Sequence, residues 1–305
     1  MRTRLLLAGL AFTLVPAGCG SDARPRTTSP NGAAITVASF TFSESKTLAE
    51  IYAQALARNG YSVRRALDLA SREVVEPALE QGVVDLAPEY LGTILAFVDP
   101  GSMAERLDPA GMHARLRTVL GRRGIDVLTP APGGNQNGLA VTTDTAERHH
   151  LAKVSELAPI AGSLVLGGPP ECPERPFCLP GFTSTYGLRF KEFRPLDSGG
   201  PRTLAALKGA EIGVGVLFTT DASLGGPDPD VVLLEDDRRL QPSENVVPIV
   251  RRAVVLRRGA AFVALLDRVS AQLRTADLIA LNRRVDIDGV TPARAASEWL
   301  GAHRF

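Results

Sequence analysis

The chain has 305 residues, of which 45% are hydrophobic and 22% charged, and its formal net charge is +1. A chain of this length and composition can build two medium-sized lobes, each with its own core. A net charge this close to zero argues against nucleic acid or an anionic membrane surface as the binding partner.

The first 18 residues are typical of a secretory signal peptide. Arg2 and Arg4 form a basic end, and the apolar run at 5–15 is too short to span a bilayer comfortably. A pair of small residues stands directly before Cys19, and this resembles the bacterial lipobox, in which the cysteine is acylated and becomes the new first residue. The sequence therefore predicts an exported protein that a lipid on Cys19 anchors to the outer face of the cell membrane.

Residues 19–34 are polar, rich in Pro, Gly and Ser, and without apolar periodicity, which predicts a flexible tether. Beyond the tether, strand patterns alternate with helix patterns, and this favours parallel α/β sheets. We predict a first lobe at 35–134, a second lobe at 135–245 and a return to the first lobe at 246–305. A ligand cleft is expected between the lobes, at the carboxyl ends of the strands.

The helices predicted in the first lobe carry capping and stop signals. Ser43 and Ser71 are the predicted N-caps of two helices, and Gly60 and Gly82 are their stop signals. Pro77 lies inside the second helix, where we expect it to cause a kink or to mark a late first turn. The predicted elements are, in order, a strand at 35–39, a helix from 43 to 60, an extended segment at 61–67, a helix at 72–81, a strand at 83–87, a helix at 109–120 and a strand at 125–128.

The remaining chain continues the α/β alternation and ends in helices. The run VVPIVRRAVVL is predicted to be one long strand that returns to the first lobe, and Thr291 before Pro292 marks a helix start. The other predicted elements are a strand from 138, a strand at 163–166, a helix at 201–208, a strand within 211–221, and helices at 260–273, 276–284 and 292–300.

Two of the three cysteines, Cys172 and Cys178, lie close together in the proline-rich stretch CPERPFC. With Cys19 assigned to the lipid, these two can form a disulfide in an oxidising compartment. Free thiols or a metal site are the alternatives, although the four histidines show no zinc spacing. A hydrolase is a weak alternative function, because the sequence contains no GxSxG, P-loop or HExxH motif.

Five stretches follow one another along the chain: ITVASFTFSESKTLAEIYAQAL, SREVVEPALEQGVVDLAPEYLGT, CPERPFCLPGF, VGVLFTTD and VVLLEDDRRLQPSENVVPIVRR. Together they resemble the substrate-binding proteins of osmoprotectant ABC transporters, which collect glycine betaine, choline or carnitine. The resemblance covers nearly the whole chain after the tether. It implies an α/β, two-lobed periplasmic-binding-protein fold of type II, and a monomeric, non-enzymatic protein without cofactor or metal that hands its solute to an ABC permease.

The resemblance also assigns individual residues to the solute. A quaternary ammonium is held by aromatic ring faces, and a carboxylate is held by guanidinium or N–H donors. Tyr90 and Phe218 match aromatic positions of the family site, Thr93 matches a polar contact, and Arg175 matches the residue that grips the carboxylate. The disulfide would hold the Arg175 loop in one shape, so that less entropy is lost on binding.

The chain departs from the family pattern at three places, and each change predicts a different contact. Asn135 and Asn137 stand where several relatives have a tyrosine, Asn245 lies where another tyrosine often follows a proline pair, and Phe40 replaces a lysine. We predict that these four residues contact the solute, with Tyr186 as another candidate for the cage. A site with more carboxamides would equally suit a polar or hydroxylated solute, so the alternative function is a lipid-anchored receptor of the same fold that serves another transporter or a sensor.

Overall fold

The computed structural model describes residues 33–105, 107–225 and 230–305. The predicted signal peptide, Cys19 and most of the predicted tether lie outside these ranges. Within them, no helix is long and apolar enough to cross a membrane.

Helices and strands alternate along most of the described chain. The strands are β1 Ile35–Ala38, β2 Val63–Ala66, β3 Leu86–Tyr90, β4 Ile125–Val127, β5 Asn137–Thr142, β6 Val165–Gly168, β7 Glu192–Pro195, β8 Val214–Phe218, β9 Val231–Leu233 and β10 Val246–Arg251. The α-helices are α1 Ser43–Arg58, α2 Arg72–Glu80, α3 Leu91–Val98, α4 Pro109–Arg122, α5 Thr143–His149, α6 Leu179–Tyr186, α7 Pro201–Lys208, α8 Arg252–Arg258, α9 Ala260–Gln272, α10 Thr275–Asn282 and α11 Pro292–Ala302.

The strands form two sheets of five strands each, in the orders β2-β1-β3-β10-β4 and β7-β6-β8-β5-β9. In the first sheet β1 runs parallel to β2 and β3, and β10 is antiparallel to β3 and β4. In the second sheet β6 runs parallel to β7 and β8, and β5 is antiparallel to β8 and β9. The predicted α/β class is confirmed, whereas the expectation of parallel sheets is wrong, because β10 and β5 each run antiparallel to both of their neighbours. The lobe ranges 35–134, 135–245 and 246–305 stay predictions, because sheet membership does not define where a lobe ends.

Each sheet has its own hydrophobic core. Tyr52 and Phe262 are fully buried in the core of the first sheet, and Phe182 and Tyr186 are buried in the larger core of the second. Full burial of a large apolar side chain contributes about 1.5 to 3 kcal/mol. Tyr186 also donates a hydrogen bond to Asp236, so the structure places this candidate cage residue in a core and not at the cavity described below.

The run at 246–256 was predicted as a single strand, and this is wrong. Strand β10 ends at Arg251 and helix α8 begins at the next residue. The break falls where the pairing with β4 ends, since Arg251 lies opposite Ile125, the first residue of β4. Beyond that point none of the described strands pairs with the run, and its β-branched residues adopt a helix instead.

Several element boundaries also differ from the sequence prediction. Phe42, not Ser43, is the N-cap of α1, and the Ser43 hydroxyl donates to Asp286 at 3.0 Å. Strand β3 begins and ends three residues later than predicted, because the backbone N–H groups of Val83 and Val84 still donate to the carbonyl oxygen of Ala78 in α2. Tyr90 is the last residue of β3, adjacent to the first turn of α3.

Candidate functional site

A cavity of about 580 Å³ lies where the two sheets face each other. The carboxyl ends of β1, β3, β6 and β8 all lead to it, as expected for a ligand site in open α/β sheets. Seven of the eight predicted ligand residues line this cavity: Phe40, Tyr90, Thr93, Asn135, Asn137, Arg175 and Phe218. The eighth, Asn245, is not among the lining residues.

The side chain of Asn245 forms hydrogen bonds with backbone groups instead. Its amide nitrogen donates to the carbonyl oxygen of Ala131 at 2.9 Å and to that of Pro132 at 3.3 Å, and its amide oxygen accepts from the Ser243 hydroxyl. These bonds join the segment before β10 to the segment after β4. The structure therefore places the Asn245 side chain in the scaffold of the site.

Aromatic rings from both sheets form one wall of the cavity, which we call the aromatic wall: Phe40, Phe42, Tyr90 and Phe218. The Phe42 ring lies between the others, with centroid distances of 5.9 Å to Phe40, 6.1 Å to Tyr90 and 5.4 Å to Phe218. Such offset and tilted rings attract one another and present flat faces to a ligand. Phe42 was missed in the sequence analysis, although its position directly before a helix at the end of β1 is a usual place for a ligand contact.

The Phe218 ring is positioned from behind by a glycine. Gly199 has a φ of +62°, a backbone conformation that other residues rarely adopt, and a Cβ atom there would lie 2.7 Å from Cδ2 of Phe218. A side chain at position 199 would push this ring out of its place.

Tyr90 is fixed by a buried carboxylate behind the aromatic wall. Its hydroxyl donates to Glu44 at 2.6 Å, and burial, together with Glu44, raises the pKa of the Tyr90 phenol well above its usual range. Glu44 is 3% exposed and also accepts from three further side chains: Asn135 at 2.8 Å, Thr220 at 2.6 Å and Asn282 at 2.7 Å. This carboxylate thereby joins residues of the first sheet, the second sheet and helix α10.

A second side of the cavity, which we call its floor, is formed by Arg72, Thr93 and Glu244. A buried ion pair between Arg72 and Glu89 holds it in place. Arg72 binds Glu89 through two hydrogen bonds of 2.9 Å and 2.7 Å, and it donates to the Thr93 hydroxyl at 2.9 Å. The guanidinium carbon of Arg72 also lies 5.7 Å from the centre of the Phe40 ring. Arg72 lines the cavity and was missed in the sequence analysis, because nothing local distinguishes it from any arginine in the first turn of a helix.

Glu244, directly before Asn245, completes the floor. One of its carboxyl oxygens, Oε2, accepts from the backbone N–H groups of Gly92 and Thr93, each at 3.2 Å, at the start of α3. Burial is the main cause that raises the pKa of Glu244 to about 8, and the negative charge of Glu89 adds to it, whereas Arg72 opposes it.

The opposite wall is the loop at 169–178, and the predicted disulfide is confirmed there. Cys172 and Cys178 are joined, which removes the alternatives of free thiols and of a metal site at these cysteines. Among the residues that the structure describes, no cluster of His, Cys, Asp and Glu could hold a metal ion.

Arg175 projects from this disulfide loop and reaches the other lobe. Its guanidinium lies 2.7 Å from a carboxyl oxygen of Glu73 in the first turn of α2, and 5.9 Å from the centre of the Phe97 ring. Burial and the nearby charge of Arg72 lower the pKa of Arg175. The residue predicted to hold a solute carboxylate is thus already paired with a carboxylate of the protein.

Comparisons with known proteins agree with this architecture. A family model for the substrate-binding domain of an ABC-type glycine betaine transport system matches residues 33–302. The glycine-betaine-binding protein of Pseudomonas aeruginosa is 31% identical over 276 residues, which cover 87% of this chain and 86% of the relative. The glycine betaine-binding protein YehZ of Escherichia coli is 27% identical over 269 residues, which cover 84% of this chain and 86% of the relative.

The fold has relatives among solved structures. A crystal structure described as a glycine betaine/carnitine/choline ABC transporter superposes with a TM-score of 0.68 at 22% identity, and the match covers 88% of this chain and 98% of that one. The two-lobed α/β architecture defines the class of type II periplasmic binding proteins.

Within this class, the chain belongs to the substrate-binding family of ABC-type glycine betaine transport systems. The resemblance seen in the five sequence stretches is therefore confirmed. The roles of the individual cavity residues toward a solute stay predictions.

Proposed function

We propose that this protein captures a small quaternary ammonium solute outside the cell and delivers it to an ABC permease. The observation that carries the proposal is the aromatic wall, in which four rings meet at one cavity. A quaternary ammonium cannot donate hydrogen bonds, so ring faces and the exclusion of water must hold it. Each well-placed ring contributes about 0.5 to 2 kcal/mol to such binding.

The solute would also draw the two lobes together. Phe42 follows β1 and Tyr90 ends β3 in the first sheet, whereas Phe218 belongs to the second sheet. A solute can shift the protein toward a closed form only through contacts that are better in that form. A cation that touches rings from both sheets at once meets this requirement, and the bridge between Arg175 and Glu73 adds a contact that spans the same gap.

The proposal includes the place of action and the partners. The lipobox resemblance at Cys19 supports a lipid anchor on the outer face of the cell membrane, and family membership supports an ABC permease as the partner. We infer a monomer that acts as a carrier and not as an enzyme, with the two lobes closing around one solute.

Titration calorimetry with glycine betaine, choline and carnitine tests the proposal. We expect micromolar binding of at least one of them, and Phe42→Leu and Phe218→Leu should each weaken it by roughly threefold to thirtyfold. Phe190→Leu is the matched control, because Phe190 packs against the second core and does not line the cavity. Binding of a hydroxylated solute without a quaternary ammonium, and of none of these three, would favour the alternative receptor of the same fold.

A further inference from the structure

One surface beside the first sheet, which we call the basic face, is formed by helix α8 and the end of α4: Arg122, Arg252, Leu256, Arg257 and Arg258. The stretch at 251–266 contains four arginines and no Asp or Glu. On α8, Val254 is buried in the first core, whereas Leu256 is 77% exposed and lies between the exposed Arg252 and Arg257. An exposed leucine flanked by basic residues on one side of a helix is typical of helices that lie on a membrane surface.

Part of the positive charge of the basic face is not neutralised by the protein. Arg252 pairs with Asp126 at 2.8 Å and lies beside the end of α4, since a Cβ atom at Gly121 would be 3.2 Å from a guanidinium nitrogen of Arg252. Arg122 and Arg257 are exposed, and neither side chain pairs with any described residue. The net charge of the whole chain, +1, does not reveal this surface, because acidic residues elsewhere balance it.

The basic face lies at the end of the first sheet that is remote from the cavity. Strand β10 begins at Val246, which pairs with Tyr90 at the cavity, and it ends at Arg251, directly before α8. A strand rises about 3.3 Å per residue, so the two ends of β10 are about 16 Å apart. The basic face and the aromatic wall are therefore separated by the length of the sheet.

The predicted tether joins the structure at this same remote end. Ala33 is the first described residue, and its carbonyl oxygen accepts a hydrogen bond from Arg258 at the end of α8. Strand β1 begins two residues later, at Ile35. A lipid on Cys19 would hold the basic face within roughly 20 Å of the bilayer, which is the reach of the predicted tether. At such a high effective concentration even weak contacts with lipid are populated.

We propose that the basic face docks on the anionic phospholipid headgroups of the membrane that anchors the protein, with Leu256 inserted among them. This inference rests on the proposed lipid anchor. Attraction between the arginines and anionic lipid, together with burial of the leucine side chain, stabilises the docked form. In this orientation the cavity lies at the far end of the first sheet, away from the bilayer, and is open to solute. The docked protein therefore collects solute, and it leaves the lipid to deliver that solute to the permease.

The full lipid-anchored protein on vesicles provides the test. Leu256→Trp places an indole at the centre of the basic face, and the native Trp299, at 7% exposure, gives a constant background. The vesicles are made of phosphatidylcholine with brominated acyl chains, with or without phosphatidylglycerol. Only with phosphatidylglycerol should the emission of Leu256→Trp shift to shorter wavelength and be quenched by bromine, because the anchor alone does not bring this side chain into the lipid.

Ile287→Trp is the matched control for position. Ile287 is also an exposed hydrophobic residue, at 55%, but its neighbour Asp286 accepts from Ser43 at the start of α1, the cavity end of that helix. An indole at position 287 should therefore stay in water on both kinds of vesicle.

Replacing one charge measures the electrostatic part of docking. In the Leu256→Trp protein, Arg257→Gln should lower the ratio of docked to free protein about fivefold, the effect of one arginine at an anionic surface. Arg189→Gln removes the same charge from an exposed position between α6 and β7 and should leave the ratio unchanged. Added salt should lower the ratio as well, since it screens the attraction.

Three outcomes would overturn the inference. The first is quenching that does not depend on phosphatidylglycerol, and the second is equal quenching in Leu256→Trp and Ile287→Trp. The third is a loss of solute uptake in Arg257→Gln cells without any docking on anionic vesicles, which would assign the basic face to the permease. All three leave the proposed solute binding standing, because calorimetry measures it separately. A chain from the membrane fraction whose mass shows no lipid on Cys19 would disprove the proposed anchor, and the inference with it.

Discussion

The two walls of the cavity are held in place by different means. On one side, the buried carboxylate of Glu44 accepts hydrogen bonds from four side chains that lie far apart in the sequence. On the other side, the loop that carries Arg175 is closed by a disulfide between residues only six positions apart. The first wall is therefore a product of the tertiary structure, whereas the second is largely a local construction.

The two walls are expected to respond differently when a solute binds. The Glu44 network joins both sheets and helix α10, so a change there affects the whole fold. The disulfide loop contacts the first lobe through the partly exposed pair of Arg175 and Glu73 and through the Phe97 ring, and ion pairs that water can reach contribute little to stability. We expect the first wall to act as a fixed platform and the second to move when a solute binds.

Glu44→Ala should disrupt the hydrogen-bond network of the first wall and lower the free energy of unfolding more than any other change proposed below. It removes the acceptor of four buried donors, and we expect the free energy of unfolding to fall by about 3 to 5 kcal/mol. Urea denaturation followed by circular dichroism measures this loss. Glu298→Ala, at the surface, should leave the midpoint nearly unchanged, and a similar midpoint for both variants would show that the network is not a structural platform.

Replacing both Cys172 and Cys178 by serine removes the disulfide that closes the loop of the second wall. The chain-entropy model predicts a loss of about 2 kcal/mol for a closed loop of this size, less than for Glu44→Ala. A reducing agent should lower the melting temperature of the original protein and leave that of the double variant where it is. If the double variant melts at the original temperature, the disulfide loop does not depend on its bridge.

A change of pH acts on the floor of the cavity, at Glu244. Its folded pKa of about 8 lies above that of an unfolded glutamate, so its contribution to stability is fully present below the unfolded pKa and is lost as the pH rises through 8. Between about pH 5 and 8, the stability difference between the original protein and Glu244→Gln should fall by at most about 1.4 kcal/mol per pH unit. A difference that stays constant over this range would mean that Glu244 is ionised throughout.

Several parts of the protein could be predicted because their signals are local. Helix α7 was predicted with its observed bounds, and it begins at a proline, a helix-start signal that needs no distant partner. Thr291 was correctly predicted as a cap, and its hydroxyl accepts from the backbone N–H of Arg294. The disulfide belongs to the same group, because the two cysteines are close in the chain.

Predictions that depended on a distant partner were wrong or incomplete. The end of β10 follows from where β4 begins, which the apolar run itself does not show. Phe42, Arg72 and Glu44 look like ordinary residues near helix starts, and only their contacts reveal them as parts of the site. The hydrogen bond between Glu44 and Asn282 spans 238 positions, a relation that no spacing rule contains.

By itself, the sequence determined the alternation of strands and helices, some of the helix ends, the cysteine pair and, through resemblance, the family and seven of the residues that line the cavity. The tertiary structure decided which of those residues are free to meet a solute. Arg175 is paired with Glu73, the Asn245 side chain binds backbone carbonyl groups, and one oxygen of Glu244 has no donor among the described residues. The physical reason is that periodicity and capping act between neighbouring residues, whereas a hydrogen bond or an ion pair across a cleft depends on which distant groups the fold brings together.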